Sequence, residues 1–211
     1  KSDSLLVNAS TWGLMLTGRV TSLDSRETSP ANLLSKLINR AGEPVIRAAM
    51  NQAMRIMGKQ FVLGRTIKEA IKNGKSYRKK GYTYSFDMLG EAAFTDPDAE
   101  RYFKSYRDAV QTLGARMDEW ASDAPKPTIS IKLSALHPRY EYTQRKQVMD
   151  TLVDRVKRLA YQASKANIGF TIDAEESDRL ELSLDVIAAV LEDQPFESWQ
   201  GFGVVVQAYS K

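Results

Sequence analysis

Cysteine is absent from all 211 residues, which excludes disulfides, thiolate metal sites and cysteine nucleophiles together and leans the chain towards the cytoplasm. Histidine occurs once, at His137, leaving zinc short of its usual nitrogen ligands. No apolar run reaches the roughly 18 residues of a membrane-spanning helix. The best stretch, near the N-terminus, is broken by Asn8, Ser10 and Thr11. The opening residues also lack the basic start, apolar run and small-residue cleavage site of a signal peptide. No GxSxG elbow and no P-loop occurs, so serine and nucleotide hydrolase chemistry fall away.

What is present is ordinary globular composition, with 43% hydrophobic and 27% charged residues. The length suits one good-sized core. A net charge of +4 and a pI near 9.2 hint at an acidic partner, but acids and bases alternate along most of the chain. The one basic run, KNGKSYRKK from Lys72 to Lys80, lacks an aromatic or glycine pattern for base stacking and reads as a solvated loop. Lys1 opens the chain and Lys211 closes it directly after an apolar strand pattern, so both ends are expected to be cuts.

Leu5 to Val20 reads as a packing segment and Thr21 to Ser29 as a polar linker. A helical region is expected from Pro30 to Asn73, broken near Gly42-Glu43-Pro44, Gly58 and Gly64, with Val45, Ala48, Ala49, Ala53, Ile56 and Met57 at helical spacing. From Tyr82 the pattern alternates. YTYSFDML, TISIKLSAL, GFTID and GFGVVVQAY read as strands. Between them the sequence predicts helices over Pro97 to Trp120, opened by Thr95-Asp96-Pro97, over Thr143 to Ala166, and after Asp173 with a stripe of Leu180, Leu184, Ile187 and Leu191. Apolar strands alternating with helices imply a parallel sheet covered on both faces. Strand starts at Tyr82, Thr128, Gly169 and Gly201 recur on the scale of an eight-unit barrel, about 30 residues per unit. The expected fold is α/β, an N-terminal helical arm (1–80) followed by the first half of a (β/α)8 TIM-like barrel (81–211). A doubly wound open sheet is the rival, weakened by the missing GxGxxG after the first strand.

In either architecture polar residues at the carboxyl ends of strands are site candidates, and these are Asp87 with Glu91, Lys132, Asp173 and Gln207. Lys132 either meets an anion or carboxylate in the mouth of the sheet or snorkels its ammonium to water. Asp173 either works in the site or caps the next helix, whose positive end Glu175 and Glu176 would also suit. His137, Asp173 and Glu175 would have to converge for a metal-dependent barrel hydrolase, yet a paired-histidine motif is missing, and no metal is expected.

YSFDMLGEAA, ISIKLSALHPRY, TIDAEESDRLELSLD and VVVQAY, taken in order, resemble the proline dehydrogenase domain of the bacterial bifunctional proline-utilisation flavoenzymes. VNASTWGLMLTGRV and RAGEPVIRAAMNQAMRIMGKQFVLGRTIKEAI resemble the segment preceding that barrel. The resemblance implies a distorted (β/α)8 barrel holding FAD, which oxidises L-proline to Δ1-pyrroline-5-carboxylate and passes electrons to a membrane quinone. It further implies a cytoplasmic, homo-oligomeric enzyme able to associate peripherally with the inner membrane. By the same resemblance Lys132 binds the substrate carboxylate, Asp173 is the active-site aspartate, Ala174 and Gln207 contact the flavin, and Glu91 partners a gating arginine. The later arginines and tyrosines of the family site are not in the sequence, so the isolated chain is expected to be inactive. The aldehyde dehydrogenase domain and any DNA-binding module are expected to be absent, with no nucleic acid contact through this segment. A non-catalytic half-barrel that serves assembly and a metal-dependent barrel hydrolase are the competing readings.

Overall fold

The computed structural model describes residues 43–88, 92–120, 124–192 and 198–209. The chain divides into two compact units, 1–65 and 66–211. In the first, the described element is helix α1 (Glu43–Phe61). Pro44 sits in its first turn, where a missing N–H costs nothing. The break expected at Gly58 is not there, because a single interior glycine weakens a helix by about 1 kcal/mol without ending it. The break near Gly64 is present. The segment expected at Leu5 to Val20 and the linker after it lie outside the described residues.

The second unit begins with α2 (Ile67–Arg78), whose cap residue Thr66 accepts the Glu69 N–H at 3.2 Å. The basic run read as a loop is therefore mostly helix. Its Lys75 and Arg78 fall in the last turn, where cations complement the helix dipole. Then follow β1 (Ser85–Asp87), α3 (Asp96–Gly114), β2 (Thr128–Ile131), α4 (Arg145–Ala166), β3 (Gly169–Ile172), α5 (Leu180–Glu192) and β4 (Phe202–Val204). Helix α3 starts where Thr95-Asp96-Pro97 predicts, on a capping box in which Thr95 and Asp98 satisfy each other's backbone N–H. It stops at Gly114 rather than Trp120. Helix α4 ends on Asn167 in the left-handed conformation (φ 53°), a position asparagine tolerates.

All four strands are parallel in the order β1-β2-β3-β4. Each helix packs on the next, α2 on α3, α3 on α4 and α4 on α5. Helices that touch in sequence lie on one side of the sheet, and the strand order never reverses, which is barrel winding and removes the doubly wound alternative. The sheet has two unlike faces. Phe86, Ile129, Ile131, Phe170 and Ile172 are buried on one, and the helices that touch β2 and β3 bury Phe103, Val110 and Leu113 of α3 and Val148, Leu152, Val156 and Leu159 of α4. The register places Ser85, Asp87, Thr128, Ser130, Thr171 and Gly203 on the other. So the strands are not uniformly apolar, as the expectation of two buried faces had it; one face is polar.

Helix α5 departs from the reading in its orientation. Leu182, Val186 and Val190 are buried, while Leu180 and Leu184 are 51% and 55% exposed. LELSLDVIAAVLE carries apolar residues on two stripes, and packing on α4 selects one of them.

Candidate active site

The Lys132 ammonium lies 2.8 Å from Asp87 Oδ2 and 2.9 Å from Asp173 Oδ2. Asp87 is the last residue of β1, and Lys132 and Asp173 each follow directly on β2 and β3. Parallel register does the positioning. Asp87 pairs with Ser130, and Ser130 with Thr171, so two residues further on Lys132 and Asp173 stand at one level on the polar face. The ladder carries past the strand end through the Asp173 N–H, which donates to the Ile131 carbonyl at 2.9 Å. Deeper on the same face the Ser85 and Ser130 hydroxyls are 2.8 Å apart.

The lysine side chain is 33% exposed and Asp173 21%, so the group is partly dried yet open to a ligand. Partial burial acts to lower the Lys132 pKa, but the hydrogen bonds to Asp87 and Asp173 outweigh it, and the ammonium is held above the usual lysine value. Two carboxylates against one ammonium leave the cluster with a net negative charge. An ammonium has three N–H donors, and two are engaged here. The third can meet a carboxylate while the aspartates attract a cationic nitrogen, which is the charge pattern of an amino acid zwitterion.

The surrounding turns are tied down. The Glu175 carboxylate, 11% exposed, accepts the Ser134 N–H at 3.0 Å and lies 3.5 Å from Arg179. Arg155 Nη1 donates to the Leu136 carbonyl at 2.6 Å, and the Ala93 N–H to the Ser134 carbonyl at 2.9 Å. The acids after Asp173 thus serve the framework: Glu175 braces the turn after β2, and Glu176 pairs with Arg179 at 3.0 Å. Tyr106, from the buried face of α3, was not singled out from the sequence. Its Oη accepts the Lys132 backbone N–H at 3.2 Å. Burial pushes its phenol up to about 12, with the Lys132 hydrogen bond pulling the other way.

Ala174 follows Asp173 and is half-buried; Gln207 lies three residues past β4, also half-buried, at the same end of the sheet. Neither is bonded to the Lys132 group. Glu91 lies outside the described residues. His137 is buried, and its Nδ1 accepts the Arg139 N–H at 3.1 Å. Burial, then the nearby Arg155 charge, lower its pKa. His137, Asp173 and Glu175 do not form a metal-ligand group among the described residues. No described helix is long and apolar enough to cross a membrane.

A parallel half-barrel whose strand ends gather a lysine between two aspartates is one of the (β/α)8 enzyme architectures, and comparison makes the class definite. Residues 70–211 match the family described as Proline dehydrogenase, and the chain belongs to that family. It is 47% identical over its whole length to the bifunctional protein PutA of Klebsiella aerogenes and 49% identical to that of Rhizobium meliloti, covering 16% and 17% of their lengths. Among solved structures, a proline utilization A from Bradyrhizobium japonicum is 40% identical, with a TM-score of 0.64 over 98% of this chain and 24% of that one. One from Bdellovibrio bacteriovorus, at 20% identity and TM-score 0.72, shares the fold. The chain thus spans about one sixth of the length of these PutA relatives.

Residues 1–61 match a second family, described as DNA-binding domain of Proline dehydrogenase. That match overturns the expectation of no nucleic-acid module in this segment. Reading the charge pattern around Lys72 to Lys80 missed it because the matching residues lie upstream, where bases are dispersed rather than clustered.

Proposed function

We propose that the protein to which this chain belongs oxidises L-proline to Δ1-pyrroline-5-carboxylate, with FAD as the hydride acceptor and a membrane quinone as the final electron acceptor. The observation that carries this reading is the Lys132 ammonium held between Asp87 and Asp173 at the carboxyl end of the sheet. Proline is a zwitterion. Its carboxylate takes the free Lys132 donor, and its ring nitrogen is drawn towards the Asp173 side of the cluster. Glu175, Arg155 and Tyr106 hold the turns and backbone that fix these groups, so the ligand meets charges already in place.

The residues present suit a flavin. Gln207 offers both a donor and an acceptor at the right end of the sheet, and Ala174 brings a small side chain next to Asp173, leaving room for a flat ring. FAD, when bound, supplies the hydride acceptance that no side chain of this chain provides. Asp173 is the residue we assign to the reacting centre, Lys132 to the substrate carboxylate, and Ala174 and Gln207 to the flavin edge. By the family resemblance Glu91 is assigned to the substrate side, as the partner of a gating arginine. The test is an assay of the complete protein for Δ1-pyrroline-5-carboxylate, with pyrrolidine, which lacks the carboxylate, as control. Product from L-proline and little from pyrrolidine supports the reading. A flavin-loaded protein that makes no product from L-proline overturns it.

The family match over residues 1–61 supports a second activity for that segment, contact with duplex DNA. Arg55 and Lys59 are exposed on α1 and available to phosphates. Salt-sensitive duplex binding by the complete protein, weakened by Arg55→Ala and Lys59→Ala, is the expected result. Binding indifferent to both substitutions would remove α1 from the contact.

A further inference from the structure

Lys132 lies where β2 leaves the sheet, and its backbone has an unusual partner. In a parallel pair, alternate residues of a strand direct their N–H and C=O to one neighbour. On β2 the residues facing β1 are Thr128, Ser130 and Lys132, as the Thr128 N–H donating to the Tyr84 carbonyl at 3.0 Å shows. Ile131 faces the other way, accepting from Asp173. Lys132 is therefore the next donor in line for β1, but β1 has ended at Asp87. Its N–H goes instead to the phenol oxygen of Tyr106, 3.2 Å away, on a residue only 2% exposed.

We propose that Tyr106 is a positioning residue for the substrate site: its phenol oxygen replaces the strand acceptor that β1 no longer supplies, and so fixes the backbone from which Lys132 reaches Asp87, Asp173 and the substrate carboxylate. This rests on the reading of Lys132 given above. Beyond Lys132 the chain turns at once into a single 3-10 turn, Leu133–Ala135, in which the Lys132 carbonyl accepts the Ala135 N–H at 3.2 Å, so the turn holds its carbonyl while holding its N–H falls to α3. The helical scaffold does this work through one hydroxyl. Phenylalanine at 106 would fill the same space but offer no acceptor, leaving a part-buried N–H unsatisfied and free to turn away. Because Lys132 is bound to the substrate carboxylate rather than to the reacting carbon, the loss falls on binding.

The experiment is a double-mutant cycle in the complete flavin-loaded protein, with Tyr106→Phe, Lys132→Ala and the pair, reading KM for L-proline, kcat and flavin content. Tyr106→Phe is expected to raise KM about fivefold with kcat within about twofold and flavin content unchanged, as for loss of one hydrogen bond. Added to Lys132→Ala it should cost nothing further, since the side chain it places is gone. Unchanged KM in Tyr106→Phe, or losses that multiply in the pair, overturn the proposal while leaving the Lys132 assignment standing. A Lys132→Ala protein with normal proline kinetics would instead bring down the site reading and this proposal with it. Should Tyr106→Phe fail to fold, 3-fluorotyrosine at position 106 keeps the hydroxyl as a weaker acceptor. A smaller rise in KM is then expected, and none at all counts against the role.

Discussion

Asp173 and Lys132, 41 residues apart in sequence, meet at 2.9 Å because β2 and β3 are parallel and in a register that brings their ends level. Asp87 reaches the same ammonium from the other side at 2.8 Å. A lysine with carboxylates on both flanks is oriented before any ligand arrives.

Removing that lysine should damage substrate binding. For Lys132→Ala in the complete protein, KM for L-proline should rise about tenfold or more, the scale of one charge-assisted hydrogen bond, with flavin content preserved. Steady-state kinetics and the flavin-to-protein absorbance ratio check both halves. Unchanged proline kinetics would take Lys132 out of the site.

Alkaline pH should expose the buried groups. Tyr106 has its pKa raised from 10.0 to about 12, so it favours the folded state while it stays protonated. That stabilisation is complete below pH 10, where unfolded tyrosine is also protonated, and is lost as pH rises towards 12. Lys132, held above its usual 10.5, behaves with the same sign, losing its contribution as pH climbs through its raised value. Thermal midpoints measured from pH 7 to 12 should therefore be insensitive to these groups up to about pH 10 and fall beyond it. In Tyr106→Phe the fall between pH 10 and 12 should be shallower; an identical slope would contradict the assignment.

The contact between α3 and α4 is close enough to test by swapping a methyl group. A Cβ placed on Gly114 would meet the Ala166 Cβ at 2.7 Å. Gly114→Ala is expected to cost about 1–3 kcal/mol in urea unfolding, despite alanine's better helix propensity. Gly114→Ala with Ala166→Gly should recover most of that loss. No recovery would mean that the helices, not the methyl groups, had shifted.

Much of this was legible in the sequence. Alternating segments carry the parallel half-barrel, and strand-end polarity names Asp87 with Glu91, Lys132, Asp173 and Gln207, of which Asp87, Lys132 and Asp173 meet. Val148, Leu152, Val156, Leu159 and Ala163 of α4 recur at three- and four-residue intervals and are buried together. Helix α5 was misread because Leu180-Leu184 and Leu182-Val186-Val190 both satisfy helical periodicity, and only the neighbouring helix distinguishes them. Tyr106 escaped because it sits in an apolar stripe with Phe103 and Val110, where an aromatic reads as core. The only signal was its hydroxyl, a polar group that burial obliges to find a partner. The helical region expected to end at Asn73 continues to Arg78, and that last stretch reads as a loop because Lys75, Arg78 and their basic neighbours mask the buried Gly74.

The most direct test of the central claim is an anaerobic titration of the complete protein with L-proline, followed at the flavin absorption band, in wild type and Asp173→Ala. The wild-type band should bleach, and the variant should bleach about 100-fold more slowly or worse at equal proline, the scale of losing a group that orients the reacting substrate. A colourless protein, a band indifferent to L-proline, or a variant that bleaches as fast as wild type would contradict the account.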